Sequence, residues 1–203
     1  MTKITQLSQL DLDGYYSYAD YLTWQFDETV ELIKGKIFAM SPAPNLRHQR
    51  ISRKLSSAID VFLTGKSCEL FVVPFDVRLY DRRKSLLANQ EIHTVVQPDL
   101  CVVCDKTKLD EQGCNGAPDW IIEILSKGNT KKEVTLKHRL YQDSGVKEYW
   151  LIFPYEEVVQ QFFLNEQTQT YQLVKNYAAD ELAVPQLFPD LAIDLAALFV
   201  EEA

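Results

Sequence analysis

Gln97-Pro-Asp-Leu-Cys-Val-Val103 and Asp119-Trp-Ile-Ile-Glu-Ile-Leu125 decide how this chain folds. Both runs are short and nearly all apolar, the composition of strands covered on both faces. Each carries one carboxylate, Asp99 where the first apolar run starts and Glu123 inside the second. Working outward, Lys131 to Asp143 places Val134, Leu136, Leu140 and Tyr141 in one sector at helical spacing and is followed by Gly145, which predicts a helix. Ile51, Leu55, Ala58, Ile59 and Phe62 recur at three and four, predicting a helix over 48–63. Residues 29–40 read as a hairpin turning at Lys34-Gly35. Glu148 to Phe153, Val158 to Leu164 and Tyr171 to Val174 read as strands, followed by a short terminal helix. The order of strands and helices predicts an α+β fold around a central mixed sheet.

Four further segments carry definite expectations. Tyr15 to Phe26 has aromatics at helical spacing and reads as a first helix. Glu69 to Leu79 reads as one irregular or edge strand, because Pro74 lacks the N–H that a central ladder needs. Val95 to Val103 reads as one continuous strand. Ser41-Pro-Ala-Pro-Asn45 and the stretch from Arg82 to Gln90 read as loops.

Composition narrows the class. With 46% hydrophobic and 25% charged residues the 203-residue chain has enough apolar side chains for a core, which excludes wholesale disorder. No run is apolar enough to span a membrane, and the first twenty residues show no apolar leader, so a cytosolic protein is expected. Net charge is −8, against a protein that grips nucleic acid by bulk positive charge. Residues 177–203 hold six of the acids and no Lys or Arg. Basic residues cluster at Arg47, His48, Arg50, Arg53 and Lys54, at Arg82-Arg-Lys84, and at Lys131-Lys132. Such clusters are solvated surface unless they share a rim with a site, where they can hold phosphates. Of the four cysteines, Cys101 and Cys104 sit three apart on one apolar run and so face opposite ways. With no second C-x-x-C, all four read as buried free thiols.

The chemistry sits in misplaced charges. Glu31, Asp99 and Glu123 lie inside or at the edge of apolar runs, where an ionised carboxylate needs a compensating partner. Arg or Lys is one solution; two acids on neighbouring strands make a divalent cation another, since Mg2+ takes one or two carboxylates plus water and phosphate. Lys137 falls in the middle of the apolar sector of its helix, while Lys132 and Arg139 fall on the far side. An inward lysine implies a buried anion, unless it snorkels to water. Two carboxylates, a lysine and a cation can hydrolyse a phosphodiester. No G-x-S-x-G, P-loop, G-x-G-x-x-G or H-E-x-x-H is present, which leaves acyl transfer and nucleotide binding without support. A glycosidase would need its two acids across an open sugar cleft, a poor match to the apolar setting of Glu123. Asp76 is expected either to pair with Arg78 or to belong to the site.

Gln97-Pro98-Asp99, followed 24 residues after the aspartate by Glu123-Ile-Leu, resembles the Pro-Asp…(Asp/Glu)-x-Lys nuclease superfamily. More narrowly, Val30-Glu-Leu-Ile-Lys-Gly-Lys-Ile37, Arg47-His-Gln-Arg-Ile51, Pro74-Phe-Asp-Val-Arg-Leu79, Gly116-Ala-Pro-Asp-Trp-Ile-Ile-Glu-Ile-Leu-Ser126, Leu136-Lys-His-Arg-Leu-Tyr141 and Val146-Lys-Glu-Tyr-Trp-Leu-Ile152 resemble, in matching order from about residue 15 to 155, the bacterial Uma-two type of restriction-endonuclease-like proteins. The resemblance implies a restriction-endonuclease-like central mixed sheet flanked by helices, in one nuclease-like domain spanning 1–203. It implies a DNA endonuclease with Mg2+, replaceable by Mn2+, held by Asp99 and Glu123, and with Glu31 as an additional acid. The superfamily lysine, two residues after the glutamate, is here Leu125, so Lys137 on the next helix is expected to replace it. His48, Arg50 and Tyr141 are expected on the substrate side, and a homodimer is expected by analogy with enzymes that cut both strands. The alternative is an inactive nuclease-like module that binds DNA or a protein partner.

Overall fold

A computed structural model describes residues 4–39, 45–81 and 88–200. The strands are β1 (Val30–Ile33), β2 (Lys36–Ala39), β3 (Glu69–Val72), β4 (Val77–Arg78), β5 (Val95–Val96), β6 (Leu100–Val103), β7 (Leu109–Asp110), β8 (Gly113–Asn115), β9 (Trp120–Ile124), β10 (Glu148–Phe153), β11 (Val158–Asn165), β12 (Thr170–Tyr177), β13 (Leu182–Ala183) and β14 (Ile193–Asp194). The helices are α1 (Tyr18–Tyr21), α2 (Leu46–Leu63), α3 (Lys131–Ser144) and α4 (Leu195–Phe199). One six-stranded sheet has the order β12-β11-β10-β9-β6-β3 and the other β2-β1-β5-β4-β8-β7. Both are mixed, with β9 and β10 parallel in the first and β4 and β8 parallel in the second. The fold is α+β, as expected.

Strand alternation sorts the side chains of the first sheet onto two cores. Trp120, Ile122 and Ile124 of β9 pack with Leu100, Val102 and the Ile51, Leu55 and Ile59 face of α2. On the opposite face Ile121 packs with Cys101, Val103, Tyr149 and Leu151, with Leu140 and Tyr141 of α3, and with Ile33, Val77 and Val96 from the second sheet. Asp99 and Glu123 belong to that second face.

The hairpin turns through Lys34 and Gly35, both at positive φ (52° and 76°), the paired left-handed geometry of a tight hairpin turn. In α3, Thr130 accepts from Glu133 N while Glu133 Oε2 accepts from Thr130 N, a capping box. Gly145, at φ 90°, closes the helix. As the crossover between the parallel neighbours β9 and β10, α3 lies against both.

Several expectations are corrected. The stretch expected as one strand over 95–103 is two: Pro98 interrupts the ladder, and the chain passes from one sheet to the other through Gln97-Pro98-Asp99. The stretch over 69–79 divides the same way at Val73–Asp76, with β3 and β4 in different sheets. The first helix shrinks to one turn, capped by Ser17 and Asp20, because Trp24 bridges to Ile4 and the surrounding aromatics pack on one another. Cys101 and Cys114 are buried free thiols, but Cys68 and Cys104 form a disulfide. Their positions extend the register of Glu69 opposite Val103, so the pairing of β3 with β6 brings them together. The expected loop at 41–44 and the basic run Arg82-Arg-Lys84 lie outside the described residues.

Candidate active site

The sheet-to-sheet passage at Gln97-Pro98-Asp99 builds the site. Leu100 pairs with Ile122 and Cys101 with Ile121 in antiparallel register, which sets Asp99 opposite Glu123 at the end of that ladder. Asp99 Oδ2 accepts from the backbone N–H of Ile124 at 2.7 Å. Asp99 Oδ1 lies 3.2 Å from His48 Nε2, on the first turn of α2. The N-cap Asn45 fixes that turn by accepting from His48 N at 3.0 Å.

Lys137 joins the acids. Its Nζ donates to Glu31 Oε1 at 2.9 Å and to Glu123 Oε1 at 3.1 Å. Tyr141, one turn further along α3 and hence on the same face, donates its hydroxyl to Glu123 Oε1 at 2.5 Å. Glu31 Oε1 also accepts from Gln97 N at 3.1 Å. Glu31, on β1, and Glu123, on β9, come from different sheets and are tied through one ammonium group.

Burial raises the proton affinity of Glu123, Lys137 opposes it, and the nearby Asp99 and Glu31 add to it, so that its carboxyl is pushed up to about 7. Lys137 is held well above its ordinary range: burial works against its charge, but Glu123 and Glu31 outweigh burial. Burial also raises Tyr141, and Glu123 beside it raises it further. Glu31 and Glu123 share one ammonium and Asp99 adds a third carboxyl group near Glu123, an excess of acid that a divalent cation would offset. Among the described residues no group of three or more His, Cys, Asp or Glu side chains encloses an ion by itself. The donor set, two hard carboxylates beside an open cavity, fits Mg2+ or Mn2+ with water and phosphate filling the remaining positions.

These side chains line a cavity of about 460 Å3 together with Gln97, His48 and apolar residues of β2, α3 and β10. Of the residues singled out from the sequence, Glu31, Asp99, Glu123, Lys137 and His48 share this cavity. Tyr141 is fully buried behind Glu123, and Arg50, half-exposed on α2, is not among the cavity-lining residues. Lys127, the other lysine near the glutamate, is in the turn after β9, over the ring of Tyr155 at 4.5 Å. Part of the basic face of α2 is tied down: Arg47 pairs with Glu157 at 2.6 Å, and Lys54 donates to the carbonyls of Ala197 and Val200.

Arg78 pairs with Asp110 at 2.6 Å and not with Asp76. Asp76 instead accepts from Tyr18 OH and from Gln97 Nε2, each at 2.8 Å. Gln97 is therefore clamped by Asp76 through its side chain while its backbone holds Glu31. Sequence reasoning passed over this role because Gln97 is polar in a polar stretch and its partners are remote in the chain.

No curated protein matches the chain. Its fold is similar to that of a crystal structure described as a "putative nuclease" from Anabaena variabilis, with a TM-score of 0.69 and 23% identity over 91% of this chain and 97% of that one. Residues 18–196 match the family Uma2, described as "Putative restriction endonuclease". The segments that carried the resemblance and the acid cavity all fall within that match, and the chain belongs to the Uma2 family.

Proposed function

We propose that the protein is a divalent-metal-dependent DNA endonuclease that hydrolyses phosphodiester bonds at the cavity between β6, β9 and α3. The observation that carries this reading is the Lys137 ammonium held between Glu31 and Glu123, with Asp99 opposite Glu123. Family membership and the nuclease-like neighbour support it.

Asp99 and Glu123 are the residues that would hold Mg2+, or Mn2+ in its place. When bound, the cation polarises the phosphoryl oxygen and makes a coordinated water more acidic. Tyr141 and Lys137 both contact Glu123 through Oε1, which fixes the carboxylate and leaves Oε2 for coordination. Asp99 is fixed through both oxygens, by His48 at Oδ1 and by the Ile124 N–H at Oδ2, so a cation would share one of these oxygens with its present partner. Lys137 keeps its proton because two carboxylates surround it, so it acts as a fixed positive charge for the phosphate and not as a base. Glu31 holds that charge in place. Tyr141 is a positioning residue for Glu123 rather than a substrate contact. Arg50 on α2 and Lys131-Lys132 at the start of α3 are left for backbone phosphates, and a homodimer of such domains would cut both strands.

The competing reading, a nuclease-like module that binds without cutting, is favoured by Leu125 at the usual lysine position. Incubation of the purified protein with supercoiled plasmid and Mg2+ or Mn2+ separates the two. Nicking that disappears in Asp99→Asn and Glu123→Gln is expected; an uncut plasmid, or equal cutting by Asp99→Asn, leaves the binding module.

A further inference from the structure

The cavity is larger and more apolar than a metal ion and a phosphodiester require. At about 460 Å3 it falls in the range of pockets that bury an organic ligand, about 300–1,000 Å3. Glu31, Asp99, Glu123, Glu133 and Lys137 are its charged residues, and alongside polar residues such as Gln97 and Ser126 much of the wall is apolar, with Ile33, Phe38, Pro74, Leu136 and Leu151. A hydrated phosphate gains nothing from such walls, whereas the faces of a planar heterocycle do.

Three lining residues also carry a buried polar atom with no hydrogen-bond partner: the Tyr149 hydroxyl, Gln97 Oε1 and Nδ1 of His48. Tyr149 is 0% exposed and His48 5%, so both are deep in the fold. Unpaired buried polar atoms are uncommon, and these three belong to residues of the cavity wall. A cation lies close to the cavity lining: Lys127 follows the lining residue Ser126 and sits over the ring of Tyr155 at 4.5 Å. A cation so placed suits a phosphate that flanks a nucleotide drawn into the cavity.

We propose that the cavity receives one unstacked nucleobase of the strand being cut, so that the substrate is single-stranded DNA or a duplex with a mismatched nucleotide. The proposal rests on the nuclease reading above and names the substrate class of the same site. A base in an intact duplex must first be unstacked and unpaired, a penalty that is smallest for mismatched or single-stranded DNA.

The test uses the full chain with Mn2+ and one labelled oligonucleotide in three forms: single-stranded, paired with one mismatch, and fully paired. Wild type is expected to cut the first two at least about tenfold faster than the third, and Leu136→Trp, which fills the cavity, to lose that preference. Leu136→Phe replaces it if melting shows that the tryptophan variant does not fold. Equal cutting of all three forms overturns the proposal and leaves the nuclease reading standing. If nothing is cut with any metal, the nuclease reading falls. The cavity is then judged by 2-aminopurine fluorescence of the single strand bound in Ca2+. A change that Leu136→Trp abolishes supports the base site; no change on binding, or the same change in the variant, overturns it.

Discussion

Lys137→Met removes the one cation that Glu31 and Glu123 share, and the consequence can be worked out. Breaking a buried ion pair by deleting one partner destabilises by about 3–5 kcal/mol, since the remaining charge is left uncompensated. Here the loss depends on pH. With Lys137 present, Glu123 already titrates at about 7 because burial outweighs the lysine; without the lysine it titrates higher. A carboxyl whose folded pKa is raised contributes stability that is fully present below its unfolded value and is lost as pH rises through the folded value. Wild type therefore loses this contribution between the unfolded Glu range and about 7 and then levels off. The variant goes on losing stability above that point, by up to about 1.4 kcal/mol per pH unit. Urea denaturation in EDTA at pH 6 and pH 8.5 reads the difference, which is expected to be larger at the higher pH. Plasmid cleavage by the variant is expected to fall by about 100–1,000-fold, the loss typical of removing one charge-stabilising donor. A stability difference that does not change with pH, or an unchanged cleavage rate, refutes the reasoning.

Three further outcomes follow from the same contacts. Mn2+ at about 100 times its dissociation constant should stabilise wild type by about 2.7 kcal/mol in thermal melts, and Asp99→Asn should show a much smaller rise; equal rises would remove Asp99 from the metal site. His48→Ala, which strips the partner from Asp99 Oδ1, should lower metal affinity by about 10–100-fold in calorimetry, and unchanged affinity would show that the ring does not position the carboxylate. Far from the cavity, Glu148 accepts from Trp150 Nε1, Gln161 Nε2 and Gln186 N on Oε1 and from Leu187 N on Oε2. Glu148→Gln sets an amide N–H against one of those donors and should cost about 1–3 kcal/mol in urea denaturation, with wild-type stability contradicting the network.

Much of the candidate site was legible in the sequence because charge in an apolar context is a local signal. Glu31, Asp99 and Glu123 each interrupt an apolar run, Lys137 interrupts the apolar sector of its helix, and all four meet at one cavity. The β1–β2 hairpin, α2, α3 and β9 to β11 were legible for the same reason: each is specified by its own periodicity and by turn or cap residues such as Gly35, Thr130 and Gly145. What periodicity could not show was which sheet a strand joins. Val95-Val96 and Leu100-Cys101 look alike along the chain, and only pairing with β1 and β4 on one side and with β3 and β9 on the other divides them. The disulfide between Cys68 and Cys104, the clamp of Asp76 on Gln97 and the pairing of Arg78 with Asp110 are contacts of the same remote kind. The shortening of the first helix arose likewise, since the aromatics that suggested it pack on one another. Tyr141 was placed on the correct helix face, but its burial behind Glu123 depends on how closely α3 sits against β9.

Anomalous diffraction from a crystal soaked in Mn2+ tests most directly whether the acid cavity is a metal centre. A single strong peak within coordination distance of both the Asp99 and the Glu123 carboxylates, with the Lys137 ammonium still bonded to Glu31, is the expected result. A fully loaded crystal with no peak between those two carboxylates, or with its manganese bound elsewhere, would contradict it.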